Sequence, residues 1–255
     1  MKFGFCHLSV IDIFREETCD SCLVGQLLFG EIYIIEESKK HFSKIMTQNG
    51  TLGYVDASQV YLISKKEYAT IEKQEKFYTT DILSTIEFEN NIIYLNMGSV
   101  LYDYDGLSSK VLGYTLNFSA GAVPVLQHKE KKIMELLIRK TLNFPYKNGG
   151  NTLMGMDGLG LAIHFFKYSN ITIERNLDSL ATKGIPISLV KDCVFGDIIF
   201  FGEKKIEHIG IVLNSKQLIH SYGSVKISPY DYLGIKEESS GKYTHNRIQK
   251  IVRLL

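Results

Sequence analysis

Gly196-Asp-Ile-Ile-Phe-Phe, His208-Ile-Gly-Ile-Val-Leu and Gln217-Leu-Ile-His220-Ser-Tyr decide the fold of this chain. Each run is strand-sized and rich in β-branched and aromatic residues, and Val225-Lys-Ile continues the series. The spacing therefore predicts successive strands from Asp197 onward. His208 and His220 fall in neighbouring strands, 220 − 208 = 12 residues apart. An antiparallel pair can bring two such side chains together on one face. Either histidine alone is an ordinary half-buried residue. The surrounding sequence gives the pair its weight.

Upstream the pattern is helical. Lys129 to Thr141 carries Ile133, Met134, Leu136 and Leu137 at the spacing of an amphipathic helix. A glycine-rich loop follows (Asn148-Gly-Gly-Asn-Thr, then Gly155). Asp157 to Tyr168 reads as a second, largely apolar helix, with Asp157 near its N-terminus, where a carboxylate is favourable. Helices first and strands second is α+β order. Residues 1–65 read instead as five or six short strands with a hairpin turn at Asn49-Gly50, the pattern of a small barrel. Residues 66–126 repeat that style more loosely: Asn91-Ile-Ile-Tyr-Leu, Ser99-Val-Leu-Tyr-Asp-Tyr and Lys110-Val-Leu-Gly-Tyr read as strands and Asp105-Gly106 as a turn. The expected domains are thus 1–65, 66–126 and 127–255.

Composition narrows the function classes. The chain has 255 residues, 45% hydrophobic and 22% charged, enough to bury more than one small core. Its 29 basic and 28 acidic residues leave a net charge of +1, which argues against nucleic-acid partners. No apolar run approaches the roughly 18 residues of a membrane span, so no membrane insertion is expected. The N-terminal residues lack the h-region and cleavage site of a signal peptide, and a cytoplasmic location is the expectation. Cys19 and Cys22 form a Cys-x-x-Cys pair in a polar turn. A zinc site would need a second ligand pair, and none occurs at a suitable spacing.

Residues 127–255 resemble the NlpC/P60 family of cysteine peptidases. That family carries Pro-Tyr-x-Trp-Gly-Gly, Asp-Cys-Ser-Gly opening a helix, Gly-Asp-Leu-x-Phe-Phe, His-Val-Gly-Ile and Ile-His-Ala. This chain has Pro145-Tyr-Lys-Asn-Gly-Gly, Asp157-Gly-Leu-Gly, Gly196-Asp-Ile-Ile-Phe-Phe, His208-Ile-Gly-Ile and Ile219-His-Ser, in the same order. The N-terminal part, with Arg15-Glu-Glu, Gln26-Leu-Leu-Phe-Gly-Glu and Gly53-Tyr-Val, resembles bacterial SH3 (SH3b) domains. The resemblance implies SH3b-like barrels followed by a papain-like domain, and hydrolysis of γ-D-glutamyl-diamino-acid cell-wall peptides without a cofactor.

The same resemblance places Gly158 where the family has its nucleophilic cysteine, with His208 as the base and His220 as the residue that orients it. Glycine cannot form an acyl-enzyme, and loss of a nucleophile costs several orders of magnitude in rate. The neighbourhood has changed too. Leu159 replaces a serine, Asn148 a tryptophan, and Arg175-Asn176-Leu177 stands for an Arg-Asp-Ser segment that helps bind substrate. Glu17, Tyr146 and Asp157 match substrate-pocket positions, and Thr51 falls where a tyrosine is usual. The expectation is a catalytically inactive homologue that binds a muropeptide or other peptide, or a protein partner. The alternative is an active hydrolase with another nucleophile, Cys6 or Cys193. A metal site from His208, His220 and Asp157 is a further arrangement of ligand types, but an idle inherited histidine pair is the expected one.

Overall fold

The computed structural model describes residues 1–126, 130–237 and 240–255. Seven antiparallel strands open the chain: β1 (Lys2–Phe5), β2 (Val10–Phe14), β3 (Leu23–Leu28), β4 (Ile32–Ser38), β5 (Phe42–Thr47), β6 (Leu52–Asp56) and β7 (Tyr61–Ile63). They lie in the order β3-β2-β6-β5-β4-β1-β7. Alternation along β2, β5 and β6 buries Ile11, Ile13, Ile45 and Val55 on one face, where they pack with Cys6, Leu27, Tyr33 and Ile35. Each such aliphatic side chain contributes about 1.5–3 kcal/mol relative to an exposed one. The Asn49-Gly50 turn joins β5 to β6 as expected.

The next span departs from its sequence reading at two places. It begins with a helix, α1 (Lys65–Ile71), not a strand. Ser64 caps it: its hydroxyl accepts from the Glu67 N–H, and the Glu67 carboxylate accepts from the Ser64 N–H, so two end donors are satisfied reciprocally. Seven short strands follow, β8 (Lys76–Thr79), β9 (Leu83–Phe88), β10 (Asn91–Asn96), β11 (Val100–Tyr102), β12 (Ser108–Val111), β13 (Tyr114–Asn117) and β14 (Ala122–Pro124). They form the small sheets β10-β9, β11-β8-β14 and β12-β13. Lys110-Val-Leu-Gly-Tyr, read as one strand, is instead a hairpin tip. Leu112 (φ 54°) and Gly113 (φ 80°) are both left-handed, the backbone of a tight two-residue turn. Asp105-Gly106 turns as expected, with the Asp105 carboxylate accepting from the N–H groups of Leu107 and Ser108.

The third span holds α2 (Lys131–Arg139), the two-residue strands β15 (Asn151–Thr152) and β16 (Gly155–Met156), α3 (Gly158–Lys167) and α4 (Leu177–Thr182). Lys129, the expected start of α2, and Gln127, the expected domain boundary, lie outside the described residues. The buried face of α2 is Met134, Leu137 and Ile138, whereas Ile133 and Leu136 are exposed; the helix is rotated from the face read in the sequence. The strands β17 (Ile185–Pro186), β18 (Ile198–Phe201), β19 (His208–Val212), β20 (Gln217–Tyr222), β21 (Ser224–Asp231), β22 (Gly234–Lys236), β23 (Tyr243–Asn246) and β24 (Ile248–Arg253) make one antiparallel sheet. Its order is β17-β24-β18-β19-β20-β21-β22-β23. The last strand thus returns to pair with β18. Arg253 on it reaches the fully buried Asp197 through two hydrogen bonds of 2.8 Å. No helix among the described residues is long and apolar enough to cross a membrane.

One continuous core runs from Phe5 and Phe29 through Leu95 and Met97 to Leu161 and Phe165 on α3 and Ile198 and Ile219 in the large sheet. Polar contacts stitch the same seam. The Tyr102 hydroxyl donates to Gly30 O (2.7 Å), Lys167 pairs with Glu31 (2.5 Å), and Asn151 donates two bonds to Gln26, from its backbone N–H to Oε1 and from its side-chain amide to the backbone O. The N-terminal unit therefore fixes both the loop before α3 and the helix itself.

His164 is buried on α3, and burial, with Lys167 nearby, pushes its imidazole down from 6.5 to about 3. Between those values the unfolded chain binds a proton that the folded chain does not, so stability falls as pH drops below 6.5. His164→Leu should lose about 2 kcal/mol less than the parent between pH 7.5 and pH 5 in urea unfolding. Equal losses in both proteins would show that His164 titrates freely in the folded state.

Candidate functional site

The site is built around the N-terminus of α3. Asp157 is its N-cap, and the Gly160 N–H donates to Asp157 Oδ1 (2.6 Å). The other oxygen, Oδ2, accepts from the Gly149 N–H (2.7 Å) and from the Arg175 guanidinium (2.6 Å). Both charged side chains are almost wholly buried, at 11% and 7% exposure. Gly149 sits at φ 80°, and a Cβ there would lie 2.4 Å from Leu23 O, so only glycine lets the loop come this close to β3. The Ser221 hydroxyl donates to Met156 O (2.6 Å) and ties β20 to the residue before the cap.

Gly158 is the first residue of α3 and faces β19. A Cβ built on it would lie 3.1 Å from Ile209 Cγ1, tighter than ordinary packing, with Ile209 Cδ1 at 3.9 Å. Ile209 follows His208, the first residue of β19. Pairing of Gly210 with His220 brings the two histidines together as the sequence predicts. His208 Nε2 and His220 Nδ1 are 2.8 Å apart, and His220 Nε2 lies 2.9 Å from Ser228 Oγ. A hydrogen-bonded line thus runs inward from His208 to Ser228. Burial, then the neighbouring His245, pushes His208 down to about 2 and His220 to about 3. Both rings are neutral at pH 7. Among the described residues no carboxylate acts to raise either pKa and so offset the loss of hydration that a charged ring would suffer.

The other sequence-predicted residues divide. The Tyr146 N–H donates to Gly223 O (2.9 Å), and its half-exposed phenol, whose pKa burial raises, lies near enough to feel the charges of Asp157 and Arg175. Asp157 is present, but its oxygens are taken by Gly160, Gly149 and Arg175, so it acts as a cap and anchor. Three of its acceptor sites are thus engaged, which makes Asp157 an anchor and not a ligand free to join His208 and His220. Leu159 is half-buried and packs on the main core. Asn176 is exposed and caps α4, its side chain accepting from the Ser179 N–H (2.9 Å). The Glu17 carboxylate is paired with Lys39 in the N-terminal unit. Thr51 is buried, its hydroxyl 2.9 Å from Asn49 Oδ1. A cavity of about 120 Å³ lies between the N-terminal unit and α3, lined in part by Gln26, Thr51, Lys76, Asn151, Lys167 and Arg175. Its walls do not include Gly158 or His208.

Neither surrogate thiol is poised. Cys6 is fully buried in the core of the N-terminal unit, and burial raises its pKa well above the usual thiol value. Cys193 is buried near Asp197, and burial first, then that carboxylate, pushes it up to about 11. Both remain protonated thiols at neutral pH.

His245, on β23, went unread in the sequence. Its ring stacks on His208 with centroids 3.9 Å apart and 19° between planes, and it meets Tyr222 edge-on at 4.8 Å. The ligand nitrogens of His208, His220 and His245 all lie within 4.8 Å of one another. Only the short alternating Tyr243-Thr-His-Asn run hints at a strand there, and nothing local says which strand it meets.

A helix N-terminus packed against a sheet that presents a histidine and its polar partner defines a papain-like domain. The NlpC/P60 family model matches residues 143–248, and the C-terminal part of this chain is an NlpC/P60 domain. An NlpC/P60 family protein from Bacillus cereus ATCC 10987 superimposes with a TM-score of 0.79 at 16% identity, covering 98% of this chain and 99% of that one. An NlpC/P60 endopeptidase from Photobacterium damselae subsp. piscicida gives 0.74 at 16% identity, over 97% of this chain and 70% of that one. At these identities the likeness shows a shared fold, and it extends over the N-terminal strands, which fit SH3b-like domains. A search of curated protein sequences finds no relative.

The Asp157–Arg175 pair should behave as one unit. Breaking a buried pair costs about 3–5 kcal/mol, because the partner charge is stranded. Asp157→Asn and Arg175→Leu should each lower unfolding free energy by about that amount, and the double variant by much less than the sum. Simple additivity would contradict the coupling.

Proposed function

We propose that this chain is an NlpC/P60-fold protein that binds cell-wall-type peptides and does not cleave them through a thiol. Gly158 carries the reading. The helix end that presents the nucleophile in the resembled peptidases carries no side chain here, and a Cβ built on it would stand 3.1 Å from Ile209 Cγ1. Thiol catalysis forms a bond between sulfur and the scissile carbonyl carbon, then releases the amine. No atom at Gly158 can form that bond. A direct water route is also poor, because His208, pushed down to about 2, is a weak base at neutral pH.

What remains suits binding. The phenol of Tyr146 is half-exposed, and the loop from Asn143 to Tyr146 is stitched to Val225 and Gly223 by backbone bonds of 2.8–2.9 Å. Such a fixed loop can hold an extended peptide without reacting with it. Because the resemblance points to γ-D-glutamyl-diamino-acid peptides, the probe of choice is L-Ala-γ-D-Glu-diaminopimelate.

With that peptide we expect heat of binding in calorimetry and no release of L-Ala-D-Glu above buffer. Release above buffer would overturn the reading, and its loss on alkylation of Cys6 and Cys193 would assign it to a thiol. Gly158→Cys with Leu159→Ser should restore measurable turnover only weakly, because Ile209 crowds the new side chain. Adding Ile209→Ala, which removes the Cγ1 that stands 3.1 Å from the new Cβ, should raise that turnover further.

A further inference from the structure

We propose that His208, His220 and His245 form a site for one divalent transition-metal ion of the zinc type, with a coordination position left open to water or an anion. The inference goes beyond peptide binding and does not depend on it.

Three imidazoles from three strands converge here. Strand pairing sets their backbone positions: Gly210 pairs with His220, and Ile235 with His245. A tetrahedral zinc ion binds nitrogens at about 2.0–2.1 Å, which sets them about 3.4 Å apart. The His208–His220 pair stands at 2.8 Å, and no ligand nitrogens in the group are more than 4.8 Å apart. The first pair must open slightly, and His245 must tilt out of its stack on His208 and close by little more than 1 Å, a change of side-chain rotation.

The ligand atoms are prepared. His208 Nε2 and His220 Nδ1 face each other, so one proton now lies between them. Moving it from His208 Nε2 to Nδ1 frees both lone pairs without changing the charge. His220 Nε2, 2.9 Å from Ser228 Oγ, can donate there and keep the Nδ1 lone pair turned inward. Such an outer partner is the usual means of orienting a metal-bound histidine. His245 Nδ1 lies 3.3 Å from the Thr244 hydroxyl, which leaves Nε2 as its ligand atom. All three rings are held neutral, chiefly by burial, as ligation requires.

Three protein nitrogens and an open position match the pattern of catalytic rather than structural zinc. Gly158, packed on the residue next to His208, offers no side chain to fill that position. Two charges bear on the ion. Lys226, whose ammonium lies over the Tyr222 ring at 5.2 Å, opposes it, and Glu207 near His245 favours it.

The test uses the full chain with Cys19→Ser and Cys22→Ser, because that exposed pair is an alternative thiolate site. Metal-free protein is titrated with Co²⁺, followed by visible absorption, and with Zn²⁺, followed by calorimetry and Tm. We expect one equivalent, the strong visible bands of four-coordinate cobalt, displacement by Zn²⁺ and a higher Tm. His245→Phe, which keeps a ring on His208, should weaken binding by about 100-fold, and Lys226→Gln should tighten it a few-fold. Absence of cobalt bands, or binding unchanged in both variants, would overturn the proposal.

Discussion

The carboxylate of Asp157 is the point from which the rest of the site takes its position. Three donors converge on it from three segments: the first turn of α3, the glycine loop at Gly149 and the guanidinium of Arg175. In a buried place a carboxylate is tolerated only when its lone pairs are filled and its charge is met. Arg175 meets the charge, and the two backbone donors fill most of what remains. Satisfying that single group therefore fixes where α3 begins, how the loop passes under β3, and which residue faces β19. That residue is Gly158.

Side-chain volume and charge then explain each other across the gap. In the resembled peptidases a thiolate beside the histidine favours the charged ring. Here no carboxylate among the described residues acts on His208 or His220, and burial leaves both neutral. The space is not simply vacant, since Ile209 lies 3.1 Å from where a Cβ would stand. The loss of the nucleophile and the filling of its space belong to one rearrangement, and restoring the thiol alone leaves the packing against it. His245, stacked on His208, reshapes the other side.

Much of this was legible in the sequence. Apolar alternation fixed β2, β5 and β6, the runs at 198–201, 208–212 and 217–222 fixed the centre of the large sheet, and the 12-residue spacing of His208 and His220 fixed their contact. Those features are local, or lie one hairpin apart. What escaped reading depends on distant pairing. His245 reaches His208 only because β22 and β23 extend the sheet beyond β21, and their few short residues carry no strong period. The structural use of Asp157 also escaped, because a carboxylate looks the same in sequence whether it faces substrate or Arg175. The helix α1 was missed for a different reason. Its capping box at Ser64 and Glu67 was present in the text but sat inside a span whose neighbours all read as strands.

The central claim is that no sulfur or other nucleophile stands ready at the start of α3, where the resembled peptidases carry theirs. Intact-mass measurement after incubation with an electrophilic γ-D-glutamyl peptide tests this directly, since a reactive peptidase nucleophile is captured as a covalent adduct. With the exposed Cys19 and Cys22 changed to serine, the account predicts an unchanged mass at pH 7 and a single adduct on residue 158 once Gly158→Cys is added. A stoichiometric adduct on the native chain, mapped to Cys6, Cys193 or a side chain of the His208 group, would contradict it.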